Sequence, residues 1–130
     1  MTLKELVRSA ISGEMADIST CEADAVAFAS STEAAEMFSR LAEEKRARLK
    51  ELGTILREGT GFRPRGDGAS RSIEAALRAR ANRAAEASTV YSALVKAVKR
   101  PESKEALKAL AVRELETFKE IKKLQDALRG

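Results

Sequence analysis

Four charged residues stand where a helical protein would keep its apolar core: Glu14, Lys45, Arg48 and Glu114. Each continues a stripe of apolar residues spaced three or four apart, which is the spacing of one face of an α-helix. A buried charge costs several kcal/mol unless an opposite charge and hydrogen bonds compensate it. Because two acids and two bases can compensate one another, these residues predict an internal charge network.

Several kinds of chemistry are excluded because the chain contains no histidine and only one cysteine. Neither a His-assisted nucleophile nor a His-ligated zinc or iron site can form. Cys21 alone cannot build a thiolate metal cluster, and a free cysteine on an apolar stripe is usually a small buried hydrophobe. Tyr91 lies on another apolar stripe and is interpreted as a core residue.

The composition is that of a helical, water-soluble protein. Hydrophobic residues make up 44% of the chain and charged residues 34%, a balance typical of helical proteins. The net charge of +4 is too mild to indicate nucleic acid or anionic lipid as a partner. No apolar run approaches the roughly 18 residues of a membrane span, and the N-terminus does not resemble a signal peptide. We expect a cytoplasmic protein that does not bind membranes.

Apolar periodicity predicts four helices. Capping boxes begin the first helix at Thr2 and the second at Ser30, the third starts near Ser70, and Pro101 opens the fourth. The apolar stripes run from Leu3 to Phe28, from Phe38 to Ile55, from Ile73 to Val98 and from Leu107 to Leu128. A segment rich in glycine separates the middle helices. The prediction is one all-α domain over 1–130, with a hairpin at 2–57, a loop at 58–69 and a hairpin at 70–129.

The two halves of the chain resemble each other. Leu41-Ala42 recurs as Leu110-Ala111, and Lys50-Glu51 recurs as Lys119-Glu120, both 69 positions apart. Alanine-rich helices align easily by chance, but this offset spans two helices and the break between them. We interpret it as duplication of a helical hairpin. Two similar hairpins joined by a longer connection predict an antiparallel four-helix bundle with the ferritin-like topology.

The segment from Phe38 to Leu49, FSRLAEEKRARL, resembles the second helix of rubrerythrin-like, ferritin-like di-iron proteins, which typically reads F-x-x-L-A-x-E-E-x-x-H-L. Its counterpart in the fourth helix runs from Leu107 to Phe118. In that family two helices each supply one Glu and two supply Glu-x-x-His to a pair of metals. The resemblance therefore implies a bundle with a di-metal site at its centre, and commonly a homodimer.

Carried over by position, the resemblance assigns few usable ligands. The six positions fall on Glu14, on Lys45 and Arg48, on Ala84 or Arg83, and on Glu114 and Thr117. The apolar stripe favours Ala84 and the repeat offset favours Arg83, and the choice stays open. Lysine and arginine at metal-ligand depth would repel a metal that needs charged oxygen and neutral imidazole donors. We therefore expect no metal and no cofactor.

Three functional hypotheses follow from these observations. The leading one is a rubrerythrin-like protein that has lost its di-metal centre and serves as a non-catalytic structural or interaction module, alone as a homodimer or with another protein. The second is a divergent di-iron oxidoreductase that recruits carboxylates such as Glu44 or Glu22. The third is a basic regulatory module that binds nucleic acid through the 59–71 loop. Two further alternatives concern the charged residues: an anionic small ligand near Lys45 and Arg48, or partial exposure of the charges to water.

Overall fold

The protein is a bundle of four long helices. The structure, a computed structural model, describes residues 1–65 and 68–130; Gly66 and Asp67, inside the predicted loop, lie outside the described residues. The helices are α1 (Leu3–Ala27), α2 (Thr32–Leu56), α3 (Ile73–Ala97) and α4 (Pro101–Arg129). α1 packs on α2 and α3 packs on α4 as two hairpins, which confirms the predicted all-α architecture with a longer connection in the middle.

The helix starts follow the predicted capping residues in part. The Glu5 N–H donates to Thr2 Oγ1 (3.1 Å) at the start of α1. The predicted capping box at Ser30 is wrong: Ser31 precedes α2, and its side chain makes no capping hydrogen bond. The third helix begins at Ile73, three residues after Ser70, because Ser72 is the N-cap and its Oγ accepts from the Ala75 N–H (3.0 Å). The Ser70 N–H and hydroxyl donate instead to the buried Asp24 carboxylate (2.6 and 2.8 Å).

The direction of α3 follows from its pairing with α1. Asp24 near the end of α1 meets Ser70 just before α3, whereas Glu14 earlier in α1 meets Tyr91 late in α3. Positions that rise along α1 therefore meet positions that fall along α3, so these two helices are antiparallel. Since α2 ends at the same end of the bundle at which α1 begins, the chain from 57 to 72 must travel the length of the bundle.

The crossover connection lies along the outside of α1. Phe62 packs against the cluster that contains Met15 and Ile18, and the Arg65 N–H donates to Ser19 Oγ (2.8 Å). A bundle with one such long connection has the topology predicted from the sequence.

The core consists of two large apolar clusters with a polar layer between them, and the smaller cluster of Met15, Ile18 and Leu49 lies beside the crossover connection. Leu52, Tyr91 and Leu107 belong to the cluster at one end, and Phe38 and Ile121 belong to the cluster at the other. The predicted stripes were too long at both extremes: Leu3 and Leu128 are exposed because few neighbouring helices flank the terminal turns. Across residues 1–65 and 68–130, no helix is both long and apolar enough to cross a membrane.

Candidate functional site

Lys45 lies at the centre of the polar layer. Its Nζ donates to Glu14 Oε1 (3.3 Å), Asp17 Oδ2 (3.0 Å) and Glu114 Oε1 (2.6 Å), so one ammonium group from α2 joins carboxylates of α1 and α4. The side chain is 6% exposed. Burial alone would lower the pKa of Lys45, but the surrounding carboxylates outweigh burial and raise this pKa above its ordinary value. Lys45 therefore stays charged in the interior.

Arg48 lies three residues further along α2 on the same face and extends the layer outward. Its Nη1 donates to Glu14 Oε1 (3.4 Å) and to Glu114 Oε1, and its Nη2 donates to Glu44 Oε2 (2.9 Å). Burial lowers the pKa of Arg48, but Glu14 and Glu114 raise it more, so the guanidinium is a permanent cation. Of the four charged residues singled out in the sequence, each of the two bases thus contacts both acids.

Two members of the layer, Asp17 and Arg80, were not predicted from the sequence, and Arg83 was considered only as an alternative metal-ligand position. Arg80 Nη1 donates to Asp17 Oδ1 (2.7 Å), and Arg83 donates to the same carboxylate from Nε and Nη2 (2.9 and 3.1 Å). Burial alone would raise the pKa of Asp17, but Lys45, Arg83 and Arg80 together hold it well below its usual range. A signal was present, since Asp17 follows Glu14 by three residues on one helical face.

Tyr91 carries a polar function within the apolar cluster. Its hydroxyl donates to Glu14 Oε1 (2.6 Å), and burial followed by the charge of Glu14 raises the pKa of Tyr91 above its usual range. The phenol therefore remains a hydrogen-bond donor, and Glu14 Oε1 accepts from Lys45, Arg48 and Tyr91 together.

The remaining predicted ligand positions border a cavity of about 10 Å³. Ala84, Arg83, Thr117 and Glu114 all line it. Ala84 is buried, whereas Arg83 is partly exposed and turns its guanidinium to Asp17. Both third-helix candidates thus lie beside the same cavity as the charges, and neither is a carboxylate. The cavity has the size of one water molecule.

A second, partly exposed set of ion pairs joins α2 to α4. Arg113 donates from Nη2 to Glu44 Oε1 (2.8 Å) and from Nη1 to Glu120 Oε1 (3.1 Å), and Arg40 Nη2 donates to Glu120 Oε2 (2.7 Å). Glu44 thus lies at the edge of the buried layer while Lys45 lies within it. Glu22 is at the surface, where Arg46 binds it through two hydrogen bonds of 2.9 Å.

The residues of the layer do not fit a di-metal centre. Such a centre needs charged oxygen donors with neutral imidazoles, and the positions between the carboxylates hold an ammonium and a guanidinium whose pKa values are both raised. Within residues 1–65 and 68–130, no group of three or more His, Cys, Asp or Glu side chains is arranged to hold a metal ion.

Cys21 and the crossover loop lie outside the charge layer proper. Cys21 is buried, and burial raises the pKa of its thiol to about 12, which suppresses the reactive thiolate.

In the loop, the Arg46 guanidinium covers the Phe62 ring at 4.3 Å, and Arg65 Nη1 donates to Ser12 Oγ (3.2 Å). The aromatic ring and one arginine of the loop are therefore occupied by contacts within the protein.

Comparison of the chain with protein-family models, with curated proteins and with solved structures finds no match. The description of the fold as an all-α bundle of two hairpins rests on the arrangement of the helices in this structure.

Proposed function

We propose that this chain is a rubrerythrin-like, ferritin-like bundle in which side-chain ion pairs stand in the place of the di-metal centre, and that it acts as a non-catalytic protein-interaction module. The observation that carries the proposal is the position of Lys45 Nζ within 3.3 Å of Glu14, Asp17 and Glu114. A cation bound by carboxylates from different helices does there what a metal does in the family: it neutralises inward-facing acids and joins the helices.

The pairing of the two halves supports this origin. α2 and α4 begin 69 residues apart, at Thr32 and Pro101. Two ion pairs, Lys45–Glu114 and Glu44–Arg113, also join residues that are 69 apart. Equivalent positions of a duplicated hairpin would meet in this way across a pseudo-two-fold axis. If the residues at these positions were identical and charged, they would repel each other. Opposite charges at these positions favour a duplication whose halves have diverged into complementary partners.

The chemistry of the layer supports a non-catalytic role. A general acid or base works best when its pKa lies near the operating pH. The pKa of Lys45 is raised, that of Asp17 is lowered and that of Tyr91 is raised, so each is moved further from neutrality. The adjoining cavity of about 10 Å³ is too small for an organic substrate.

Iron loading tests the proposal directly. The purified protein is incubated anaerobically with ferrous iron, desalted and analysed by elemental mass spectrometry. We expect less than about 0.1 iron per chain because the cations repel the metal. About two irons per chain would contradict the proposal and favour the oxidoreductase hypothesis.

A matched variant tests whether the charge layer lies at the depth of a metal site. Lys45→Glu with Arg48→His restores a carboxylate and an imidazole at spacing three, beside Glu14 and Glu114. We expect this variant to bind Co²⁺ and to melt at a higher temperature with the metal than without it, since a ligand that binds only the folded state stabilises it. A folded variant, shown by circular dichroism, that takes up no more Co²⁺ than the wild type would contradict the assignment.

A further inference from the structure

An apolar groove lies at the end of the bundle where α1 and α4 begin and α2 and α3 end. Its volume is about 240 Å³. Leu3, Val7, Ile55, Leu56 and Val98 form its apolar lining. Leu3 is 45% exposed, and the other four are partly buried, so the groove exposes apolar surface to water. Contiguous apolar surface with a polar rim is a feature of binding sites.

The rim of this groove is positively charged. Arg57, Lys99 and Arg100 line it, and no carboxylate does among the described residues. Arg100 Nη2 donates to the Ile55 carbonyl (3.5 Å), which holds the guanidinium at the groove. Arg100 is also the N-cap residue of α4, whose first turn carries Glu102 outside the lining of the groove.

Arg57 occupies an unfavourable backbone conformation at this rim. Its φ is 56°, and it is the one non-glycine residue with positive φ in residues 1–65 and 68–130. Glycine is the usual residue at a left-handed helix C-terminus, because a side chain there is strained. Glycine would adopt this backbone conformation with less strain, but arginine at this position places a cation at the groove.

We propose that this groove binds an acidic peptide segment of a partner protein, with one or two large apolar side chains in the groove and a carboxylate at the Arg57–Lys99–Arg100 rim. The inference rests on the proposed interaction role and names its surface. Charge complementarity selects an acidic partner. A second copy paired through the same surface would bring like charges together.

The size of the groove favours a peptide over a free acyl chain. Small-molecule sites usually measure about 300–1,000 Å³ and enclose most of their ligand. This groove is smaller and open to solvent. Its occupant therefore keeps most of its mass outside the groove, as a peptide with anchoring side chains does.

The test is selection of random peptides displayed on phage against the immobilised wild-type chain. The most enriched peptide is then synthesised with a fluorophore, and its affinity is measured by anisotropy. Two variants with equal charge change are compared: Arg57→Glu with Lys99→Glu at the rim, and Arg63→Glu with Lys123→Glu at exposed sites outside the groove. We expect enriched peptides to combine large apolar residues with Asp or Glu, and the rim variant to bind at least about tenfold more weakly. The control variant should bind like the wild type.

Three results would overturn the inference: no enrichment, enriched peptides without acidic residues, or equal weakening by both variants. Amide NMR shifts confined to groove residues on addition of octanoate, in the absence of peptide binding, would assign the groove to a small acid instead. Iron content separates the two proposals, because uptake of iron contradicts the lost metal centre and leaves the peptide result standing.

Discussion

The two hairpins meet along two seams that are held together differently. α1 and α3 pack extensively against each other, whereas α2 and α4 approach closely at few positions. Long side chains in ion pairs span the α2–α4 seam. Lys45 and Arg48 pair with Glu114 in the interior, and Glu44 pairs with Arg113 in a half-buried position. Where helix backbones lie far apart, long charged side chains provide contacts that short apolar ones cannot.

Burial divides the ion pairs of the α2–α4 seam into two classes. The Lys45–Glu114 pair is nearly inaccessible to water, whereas the side chains of the Arg40–Glu120 pair are 47% and 39% exposed. Loss of one partner from a buried pair leaves an uncompensated charge, whereas an exposed pair contributes little. The buried pairs should therefore be sensitive to single substitutions and the outer pairs tolerant.

The largest effect is expected from Arg48→Met. This change leaves Glu14 and Glu114 with only part of their charge compensation in the interior. It should lower the free energy of unfolding by about 3–5 kcal/mol, measured by urea denaturation. The control is Arg46→Met, which breaks an exposed pair with Glu22 and should cost less than about 1 kcal/mol. Equal costs for the two variants would mean that burial does not distinguish them.

Acid should weaken the protein through Asp17. Because its pKa is lowered in the folded state, the unfolded chain binds a proton below about pH 4 that the folded chain does not. Stability from this group is complete above that pH and falls as pH decreases, by about 1.4 kcal/mol per pH unit. The measurement is the unfolding free energy between pH 5 and about pH 2.5 for the wild type and Asp17→Asn.

The Asp17→Asn protein should show a shallower decline with acid, since Glu44 and Glu120, whose pKa values are also lowered, titrate in both proteins. Parallel curves for the two proteins would contradict the assigned role of Asp17.

A smaller loss is expected from Tyr91→Phe. The ring keeps its apolar packing, but Glu14 loses the hydroxyl that donates at 2.6 Å. A hydrogen bond to a charged group contributes about 1.5–3 kcal/mol, and a cost near the middle of that range should appear in thermal unfolding. An unchanged melting temperature would show that Lys45 and Arg48 satisfy Glu14 without Tyr91.

The smallest effect tests the outer part of the seam. Glu44→Gln weakens the hydrogen bonds from Arg48 and Arg113, but the buried Arg48 keeps Glu14 and Glu114 as partners, and Glu44 and Arg113 are partly exposed. We expect a cost of about 1 kcal/mol in urea denaturation, with Glu22→Gln as the exposed control at less than about 0.5 kcal/mol. A loss as large as that of Arg48→Met would show that the outer pairs carry the seam.

Much of this architecture could be predicted from single helices. The spacing of Phe38, Leu41, Lys45, Arg48 and Leu52 places all five on one face, and all five are buried. Asp17 was missed because the search for apolar periodicity follows apolar residues. The stripe of the first helix continues from Glu14 to Cys21 whether or not residue 17 is included. Arg80 was not singled out, and Arg83 was considered only as an alternative metal-ligand position on the basis of the repeat offset.

Contacts between helices could not be predicted in the same way. That Arg83 turns to Asp17 depends on the rotation of α3 about its axis, which no single segment encodes. The start of α3 was placed near Ser70, but Ser72 caps the helix, and Ser70 donates to Asp24 from α1. The contact between Ser70 and Asp24 joins distant parts of the chain and leaves no signal in the local sequence.

The most direct test of the central claim is a double-mutant cycle on Lys45 and Glu114, measured by urea unfolding. We expect these two residues to stabilise the bundle together, as the cation and carboxylate at its centre. Lys45→Met and Glu114→Leu should each cost about 3–5 kcal/mol, and the double variant should cost at least about 2 kcal/mol less than their sum. Additivity within about 0.5 kcal/mol would contradict the account, because it would mean that the two charges are not coupled.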